Sequence, residues 1–265
     1  MTETQATHGK TAVVVIPTYN EADSICPLVE ALLATAKSSA PQWSVRVLVV
    51  DGDSPDGTAQ AVRAAMQHQP ALDLMVETKK AGIGAAYLLG FERAMRQHAA
   101  DVVVEFDGDF QHPPETLPLM LEAIDEGCDY VLGSRAIPGG GYPAGWSLYR
   151  HLMSRGGGFV ARLLLFFPWR PFFRITDPTT GLKATRVRGV LDRIDFARIR
   201  SKGFGYKLEL LYHLVQQGAR VKEIPLRFQP RRAGESKITN QTPGEILRTV
   251  LWLRLFGKRY MARGV

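Results

Sequence analysis

The first half of the chain alternates short apolar runs with longer helix-compatible segments, and this alternation restricts the fold more than any other property. The runs at 11–16, 45–50, 72–76, 102–106 and 130–132 are rich in valine and leucine and largely unbroken, as suits strands covered on both faces. Helix-compatible stretches lie between them at 24–36, 57–67, 82–97 and 114–126. Such alternation predicts an α/β domain around a mostly parallel sheet. Ligands of these sheets bind beyond the carboxyl ends of the strands. The polar clusters fall there: Pro17-Thr18-Tyr19-Asn20-Glu21, Asp51-Gly52-Asp53-Ser54-Pro55-Asp56 and Asp107-Gly108-Asp109. Three carboxylate-bearing loops at one sheet edge repel one another unless a cation or hydrogen-bond donors collect them.

Asp107 and Asp109 are the sharpest of these signals. Two carboxylates one residue apart, just past a buried strand, can both turn toward one hard cation, and such cations keep positions open for substrate phosphates. Gln111 and His112 follow, within reach of a third ligand position. Taken alone, the spacing is more often that of two solvated loop carboxylates. Asp56-Gly57 reads as a turn, and Glu21 stands where it either caps the next helix or meets a ligand. His112 precedes two prolines and is expected beside a metal rather than on it; His213 is expected on a helix surface. Glu105 is a buried charge with no assigned role.

A chain of 265 residues, 45% hydrophobic and 22% charged, supports one large domain or a domain with an appendage. The formal net charge of +7 tilts toward an anionic partner: nucleotide, nucleic acid, phospholipid or lipid phosphate. Cys26 and Cys128 lack metal-ligand spacing and are read as reduced packing residues in a cytosolic setting. Residues 1–10 are polar, expected to be flexible, and carry no apolar signal core. No stretch reaches the roughly 18 uncharged apolar residues of a membrane span; the segment 159–173 is broken by Arg162, Pro168 and Arg170.

After residue 133 the alternation loosens. Gly139-Gly140-Gly141 and Gly156-Gly157-Gly158 mark flexible or closely approached backbone. Arg135, Arg150, Arg155 and Arg162 interleave with Trp146, Leu148, Leu152, Phe159 and Leu163–Leu165, and five aromatic residues crowd 166–173. The whole span 142–173 reads either as an interfacial amphipathic segment or as an ordinary core-facing helix. A last helix near 244–256, within a C-terminal segment 241–265, carries the same two alternatives.

At this point the motifs match a family. Beside the three loops already named stand Gly82-Ile83-Gly84-Ala85-Ala86-Tyr87, Phe110-Gln111-His112-Pro113-Pro114, Gly133-Ser134-Arg135, Asp177-Pro178-Thr179-Thr180-Gly181 and Arg231-Arg232-Ala233-Gly234-Glu235-Ser236-Lys237. Together they resemble the inverting family 2 glycosyltransferases of the GT-A fold, in particular dolichol-phosphate mannose synthases and related polyprenyl-phosphate sugar synthases. The resemblance implies a GT-A (Rossmann-like) α/β catalytic domain over 11–240, with a mixed, mostly parallel sheet flanked by helices and with amphipathic C-terminal helices. It implies that Pro17, Tyr19 and Glu21 frame the base and ribose, and that Asp51, Asp53, Lys80 and Gly108 join the nucleotide-sugar site. Asp107, Asp109 and Gln111 would hold Mg²⁺ or Mn²⁺ against the donor diphosphate. Arg135, Arg150 and Ser154 would take the lipid phosphate, and Arg232 and Lys237 would close over the diphosphate.

The family usually reads Asp-Asp-x-Ser in the second motif, whereas here Gly52 replaces the second Asp and an Asp follows at Asp53. That departure leaves GDP and UDP both open as the donor nucleotide. Gly203-Phe204-Gly205-Tyr206-Lys207-Leu208-Glu209 keeps a family-like shape, with an unassigned charge at Lys207. The expected activity is transfer of mannose from GDP-mannose to a polyprenyl phosphate with inversion. The alternatives are a UDP-sugar donor (UDP-glucose or a UDP-N-acetylhexosamine) and a non-catalytic sugar-nucleotide-binding protein. Nucleic acid is not an expected partner, because the arginines mix with apolar and aromatic residues and no nucleic-acid motif occurs. A dinucleotide-binding dehydrogenase is disfavoured, because Pro17-Thr18-Tyr19 stands where Gly-x-Gly-x-x-Gly is required. The expected location is peripheral, at the cytoplasmic face of a membrane, held by the amphipathic segments or by a separate membrane-anchor protein.

Overall fold

The computed structural model describes residues 9–78, 81–231 and 242–262. Seven strands form one sheet: β1 (Lys10–Thr18), β2 (Trp43–Asp51), β3 (Leu72–Val76), β4 (Val102–Glu105), β5 (Tyr130–Ser134), β6 (Lys183–Arg186) and β7 (Val221–Pro225). Their order is β3-β2-β1-β4-β6-β5-β7. All neighbouring pairs are parallel except those of β6, which runs antiparallel to both β4 and β5. The five strands expected from the apolar runs are all present. The two others escaped that criterion: β6 reads Lys-Ala-Thr-Arg and β7 is an edge strand reading Val-Lys-Glu-Ile-Pro.

Side chains alternate between two apolar layers, as the period-2 geometry of a strand requires. Val13 and Val15 face one layer with Tyr87, Phe91 and Tyr206, whereas Ala12, Val14 and Ile16 face the other with Leu28, Leu117 and Leu121. Helices α1 (Ala22–Ser39) and α4 (Thr116–Asp125) cover the second layer, α3 (Ile83–Gln97) covers the first, and α2 (Thr58–Met66) lies between β2 and β3 in sequence. Gly90 lets α3 approach closely, since a Cβ there would strike Val15 and lie 3.1 Å from Val50 Cγ2.

The second half adds α5 (Leu148–Phe166), α6 (Arg170–Arg174), α7 (Tyr206–Gln216) and α8 (Thr242–Ala262). Helix α8 packs against α5 and α7. Its Glu245 accepts bonds from Ser201 Oγ at 2.9 Å and Gly205 N at 3.0 Å, fixing the turn that launches α7. His213 is a correction to the sequence expectation: it is buried on α7, with Nε2 3.9 Å from Glu209. Helix α5 has both a buried and an exposed apolar side. It buries Ala161, Leu165 and Phe166 but exposes Leu148, Leu152, Phe159 and Leu163. Phe167, Trp169 and Phe173 extend this exposed apolar surface, and Leu251, Leu255 and Phe256 of α8 are exposed as well. Among the described residues, no helix is long and apolar enough to cross a membrane. The expected flexible terminus falls almost wholly outside the described residues.

Candidate active site

The carboxyl ends of β1, β2 and β4 lie side by side, because β1 pairs with both others and Thr18 stands opposite Asp51 in register. Each following loop holds one non-glycine residue at positive φ: Asn20 at 56°, Asp53 at 57° and Phe110 at 62°. Such backbone is costly and persists where the surroundings over-determine it.

Asp109 is almost completely buried. Its Oδ1 accepts Gln111 N at 2.9 Å, and its Oδ2 lies 2.8 Å from Nη2 of Arg231. Nη1 of the same guanidinium lies 3.6 Å from Glu21 Oε1. Burial and then the neighbouring Asp107 push the Asp109 carboxyl up to about 6, with Arg231 pulling the other way. Asp107 reaches the cleft, its side chain 27% exposed. Burial acts to raise its pKa, but Lys207 foremost, with the Tyr87 hydroxyl at 3.3 Å, holds it below the usual range. His112 is fully buried, its ring against Phe106 and Phe228. Burial pushes it down to about 4, so it is neutral. Its Nδ1 accepts Asp107 N at 3.1 Å, which assigns the ring proton to Nε2, 3.5 Å from Asp107 Oδ2. His112 thus braces Asp107, as its sequence position suggested.

On the nucleotide side, Asp51 is fully buried and accepts Thr18 Oγ1 at 2.8 Å, Ser54 N at 2.9 Å and Ser54 Oγ at 2.6 Å. Hydrogen-bond donors therefore collect this carboxylate. Asp53 is exposed, and Pro17 and Tyr19 are half-buried. Glu21 precedes α1 without a side-chain capping bond; its Oε2 accepts Ser24 Oγ at 3.0 Å. Asp56 makes the expected turn through Thr58 and also accepts Ala22 N at 3.0 Å, tying the second loop to the start of α1. A Cβ on Gly52 would lie 3.6 Å from both Glu77 Oε2 and Tyr19 Cδ2, so the altered motif position borders Glu77.

On the other side, Arg135 follows β5 and forms a two-pronged ion pair with Asp177, Nε to Oδ2 and Nη2 to Oδ1 both at 2.7 Å. Asp177 is set in turn by Glu223 of β7, which accepts Asp177 N and Thr176 N at 2.8 Å each. The Arg135 guanidinium lies over the rings of Tyr142 and Phe228. It is therefore held rigidly rather than free to swing. Arg150 is exposed and stacks on Trp146 at 4.3 Å, with Ser154 one turn further along α5. Beside them opens a cavity of about 630 Å³ lined by residues that include Tyr142, Arg227 and Phe228. Lys80, Arg232 and Lys237 lie outside the described residues. Arg231 and Lys207, to which the sequence reading gave no role, are the cations beside the two aspartates. Only the tandem arginines and the odd charge at 207 signalled them.

The donors fit a divalent metal. Asp107, Asp109 and Gln111 offer only hard oxygen ligands, and a guanidinium already stands at Asp109 Oδ2 as a cationic substitute. Among the described residues no cluster of three His, Cys, Asp or Glu groups forms a closed cage. Two carboxylates with remaining positions left to water and phosphate oxygens is the usual Mg²⁺ arrangement.

The glycosyl transferase family 2 profile matches residues 13–199. The chain belongs to this family. This family 2 glycosyltransferase is 37% identical over 253 residues to polyprenol monophosphomannose synthase of Mycolicibacterium smegmatis, covering 95% of this chain and 90% of the relative. It is 36% identical over 231 residues to undecaprenyl-phosphate mannosyltransferase of Micrococcus luteus, covering 87% and 88%. The fold is that of the GT-A enzymes. Glucosyl-3-phosphoglycerate synthase of Mycobacterium tuberculosis, solved with Mn²⁺, UDP and phosphoglyceric acid, superposes with a TM-score of 0.63 at 20% identity, covering 93% of this chain and 78% of that one.

Arg231 and a divalent ion would compete for Asp109 Oδ2. Without nucleotide, Arg231→Met is therefore expected to bind Mn²⁺ roughly tenfold more tightly than wild type, the order of one charge-assisted hydrogen bond. The free-Mn²⁺ signal in electron paramagnetic resonance measures this; equal or weaker binding would show that the guanidinium does not occupy the cation position.

Proposed function

We propose that this glycosyltransferase transfers mannose from GDP-mannose to a polyprenyl phosphate, with inversion and with Mg²⁺ or Mn²⁺ as cofactor. The observation that carries the proposal is the layout of the cleft. The cation-seeking pair Asp107 and Asp109 lies beside the nucleotide loops, while Arg135, Arg150 and the cavity at Tyr142 and Phe228 lie toward α5, which exposes Leu148, Leu152, Phe159 and Leu163. A polar donor and a lipid-borne phosphate would thus approach from opposite sides. The similarity of this chain over most of its length to proteins named for mannosyl transfer to polyprenyl phosphates supports the same assignment.

The acceptor phosphate is anionic near neutral pH, so the step needs no base to remove a hydroxyl proton. An acceptor oxygen attacks the anomeric carbon, and the carbon–oxygen bond to the diphosphate breaks with its electron pair leaving on the nucleotide. One displacement inverts the centre, so an α-linked donor yields a β-mannosyl phosphate. A bound Mg²⁺ or Mn²⁺ supplies Lewis-acid stabilisation of the departing diphosphate. The protein holds Asp107 with His112 and Tyr87, presents Arg231 at the same edge, and fixes Arg135 through Asp177. Arginine forks match phosphate oxygens in geometry as well as charge. The glycine at position 52, beside Glu77, keeps a UDP-sugar as the competing donor. The presence of both aspartates argues against a non-catalytic binding protein.

The enzyme is proposed to work as a peripheral protein at the cytoplasmic face of a membrane, alone or with an anchor protein. The apolar exposure of α5 and the 167–173 stretch supports this, as do arginines laid over aromatic rings: Arg162 over Phe172 at 4.7 Å and Arg254 over Trp169 at 4.7 Å. Surface binding is expected to carry the protein upward with anionic liposomes in a density gradient, and Leu152→Glu with Leu163→Glu to leave it at the bottom. A wild-type protein that stays wholly in the dense fraction would remove the surface-binding part of the proposal.

The activity is tested with a donor panel. Purified protein, Mn²⁺ and a short polyprenyl phosphate are incubated with radiolabelled GDP-mannose, UDP-glucose or UDP-N-acetylhexosamine and extracted into organic solvent. Label is expected in the lipid phase from GDP-mannose and to disappear in Asp109→Ala. Label from a UDP-sugar alone would transfer the donor assignment, and label from none would overturn the proposal.

A further inference from the structure

Lys207 is the second residue of α7, and its placement is costly in three ways. It is 6% exposed, whereas lysines are rarely buried unless paired. It sits in the first turn of a helix, where the backbone dipole disfavours a cation. Among the described residues its ammonium makes no hydrogen bond and no ion pair within 4 Å, although it lies beside Asp107. Its surroundings are nonetheless built with care. The buried Lys183 of β6 donates from Nζ to the Lys207 carbonyl at 3.1 Å, and the preceding Tyr206 hydroxyl donates to the buried Glu105 of β4. Two strands of the sheet thus hold the backbone that carries the ammonium.

Glycine at 181 lets the ammonium, Asp107 and His112 close on one another. A Cβ at Gly181 would lie 2.8 Å from Asp107 Oδ2, 3.0 Å from His112 Cε1 and 3.1 Å from Lys207 Nζ. Arg231 is committed to Asp109 and Glu21. Lys207 lies instead near His112, whose ring meets Phe228, the same ring that lies under the Arg135 guanidinium. Arg135 already neutralises Asp177, so this side of the cleft needs a further positive charge if two anions are to meet there.

We propose that Lys207 is a catalytic cation of the transfer step and that its ammonium binds a non-bridging oxygen of the acceptor phosphate beside Asp107. This inference rests on the polyprenyl-phosphate reading given above. In the step, one acceptor oxygen forms the new bond to the anomeric carbon, the bond from that carbon to the diphosphate oxygen breaks, and the electron pair leaves with the nucleoside diphosphate. The ammonium keeps all its protons. It lowers the repulsion between acceptor phosphate and departing diphosphate where they come closest.

The test compares wild type, Lys207→Met, Lys207→Gln and Lys207→Arg, with folding checked by thermal melting. Methionine keeps the stem without the charge; glutamine covers the case in which methionine packs poorly. Initial rates are measured with GDP-mannose against varied farnesyl phosphate, and binding of GDP with Mn²⁺ is measured by calorimetry. Both neutral variants are expected to lose about 100-fold in kcat/KM for farnesyl phosphate, the usual scale for one preorganised donor. Their KM for that acceptor should rise while GDP–Mn²⁺ affinity stays within about threefold, and arginine should recover at least a tenth of the wild-type value. An acceptor kcat/KM within about threefold of wild type in a folded neutral variant overturns the proposal. So does a parallel loss of GDP affinity, which would put the ammonium on the donor. Failure of wild type itself to label farnesyl phosphate would instead overturn the reading of function.

Discussion

The site depends on one electrostatic constraint: two carboxylates at the end of a buried strand cannot both be ionised there without positive charge close by. Asp109 is buried and pushed up to about 6, with Asp107 adding to that shift. The protein answers with Arg231 on Asp109 and Lys207 near Asp107, so the edge is cationic in its surroundings even before a metal arrives. A divalent ion held by Asp107 and Asp109 would displace the Arg231 guanidinium rather than fill a bare anionic hole. The displaced cation would then be free to meet a diphosphate, coupling metal and donor binding through a single side chain.

The rest of the cleft is arranged around rigid ion pairs that do little for net stability. Burying Arg135 with Asp177 costs desolvation that their attraction roughly offsets. The return is position. Glu223 on the edge strand β7 aligns the backbone of Asp177, Asp177 aligns Arg135, and the rings of Tyr142 and Phe228 close the remaining faces. Glu105 and Lys183, opposite one another in β4 and β6, each hold one residue at the start of α7. The antiparallel strand β6 therefore links the metal edge to the helix that carries Lys207.

Much of this was legible in the sequence, and the gaps have physical reasons. Apolar runs located β1 to β5 because their buried residues are apolar; β3, at the other edge of the sheet, kept a legible run despite Asp73 and partial exposure. The same rule passes over β6, whose inward residue is a lysine matched to a glutamate on the neighbouring strand, a pairing that only the register reveals. It also passes over β7, an edge strand whose Glu223 turns inward to work on Asp177. The loop motifs located Asp107, Asp109 and Arg135, but not that Asp51 is satisfied by Thr18 and Ser54, nor that Arg135 is already paired. His213 was expected on a helix surface; α7 is in fact largely buried and packs against α8. Nothing in the residue types of the motif 231–237 marks Arg231 as a partner of Asp109. Lys207 was visible only as a charge out of place, and its direction came from Gly181 and the two tethers beneath it.

The central claim is that Asp107 and Asp109 hold the metal against the donor diphosphate. Electron–nuclear double resonance on the Mn²⁺–GDP complex of protein labelled with ¹³C at the aspartate carboxylates reads it directly. The account predicts ¹³C couplings from aspartate together with ³¹P couplings from GDP, each of a size that requires direct coordination, and loss of ¹³C coupling in Asp109→Ala. A ³¹P coupling with no ¹³C coupling in the wild-type protein would place the metal on the nucleotide alone and contradict it.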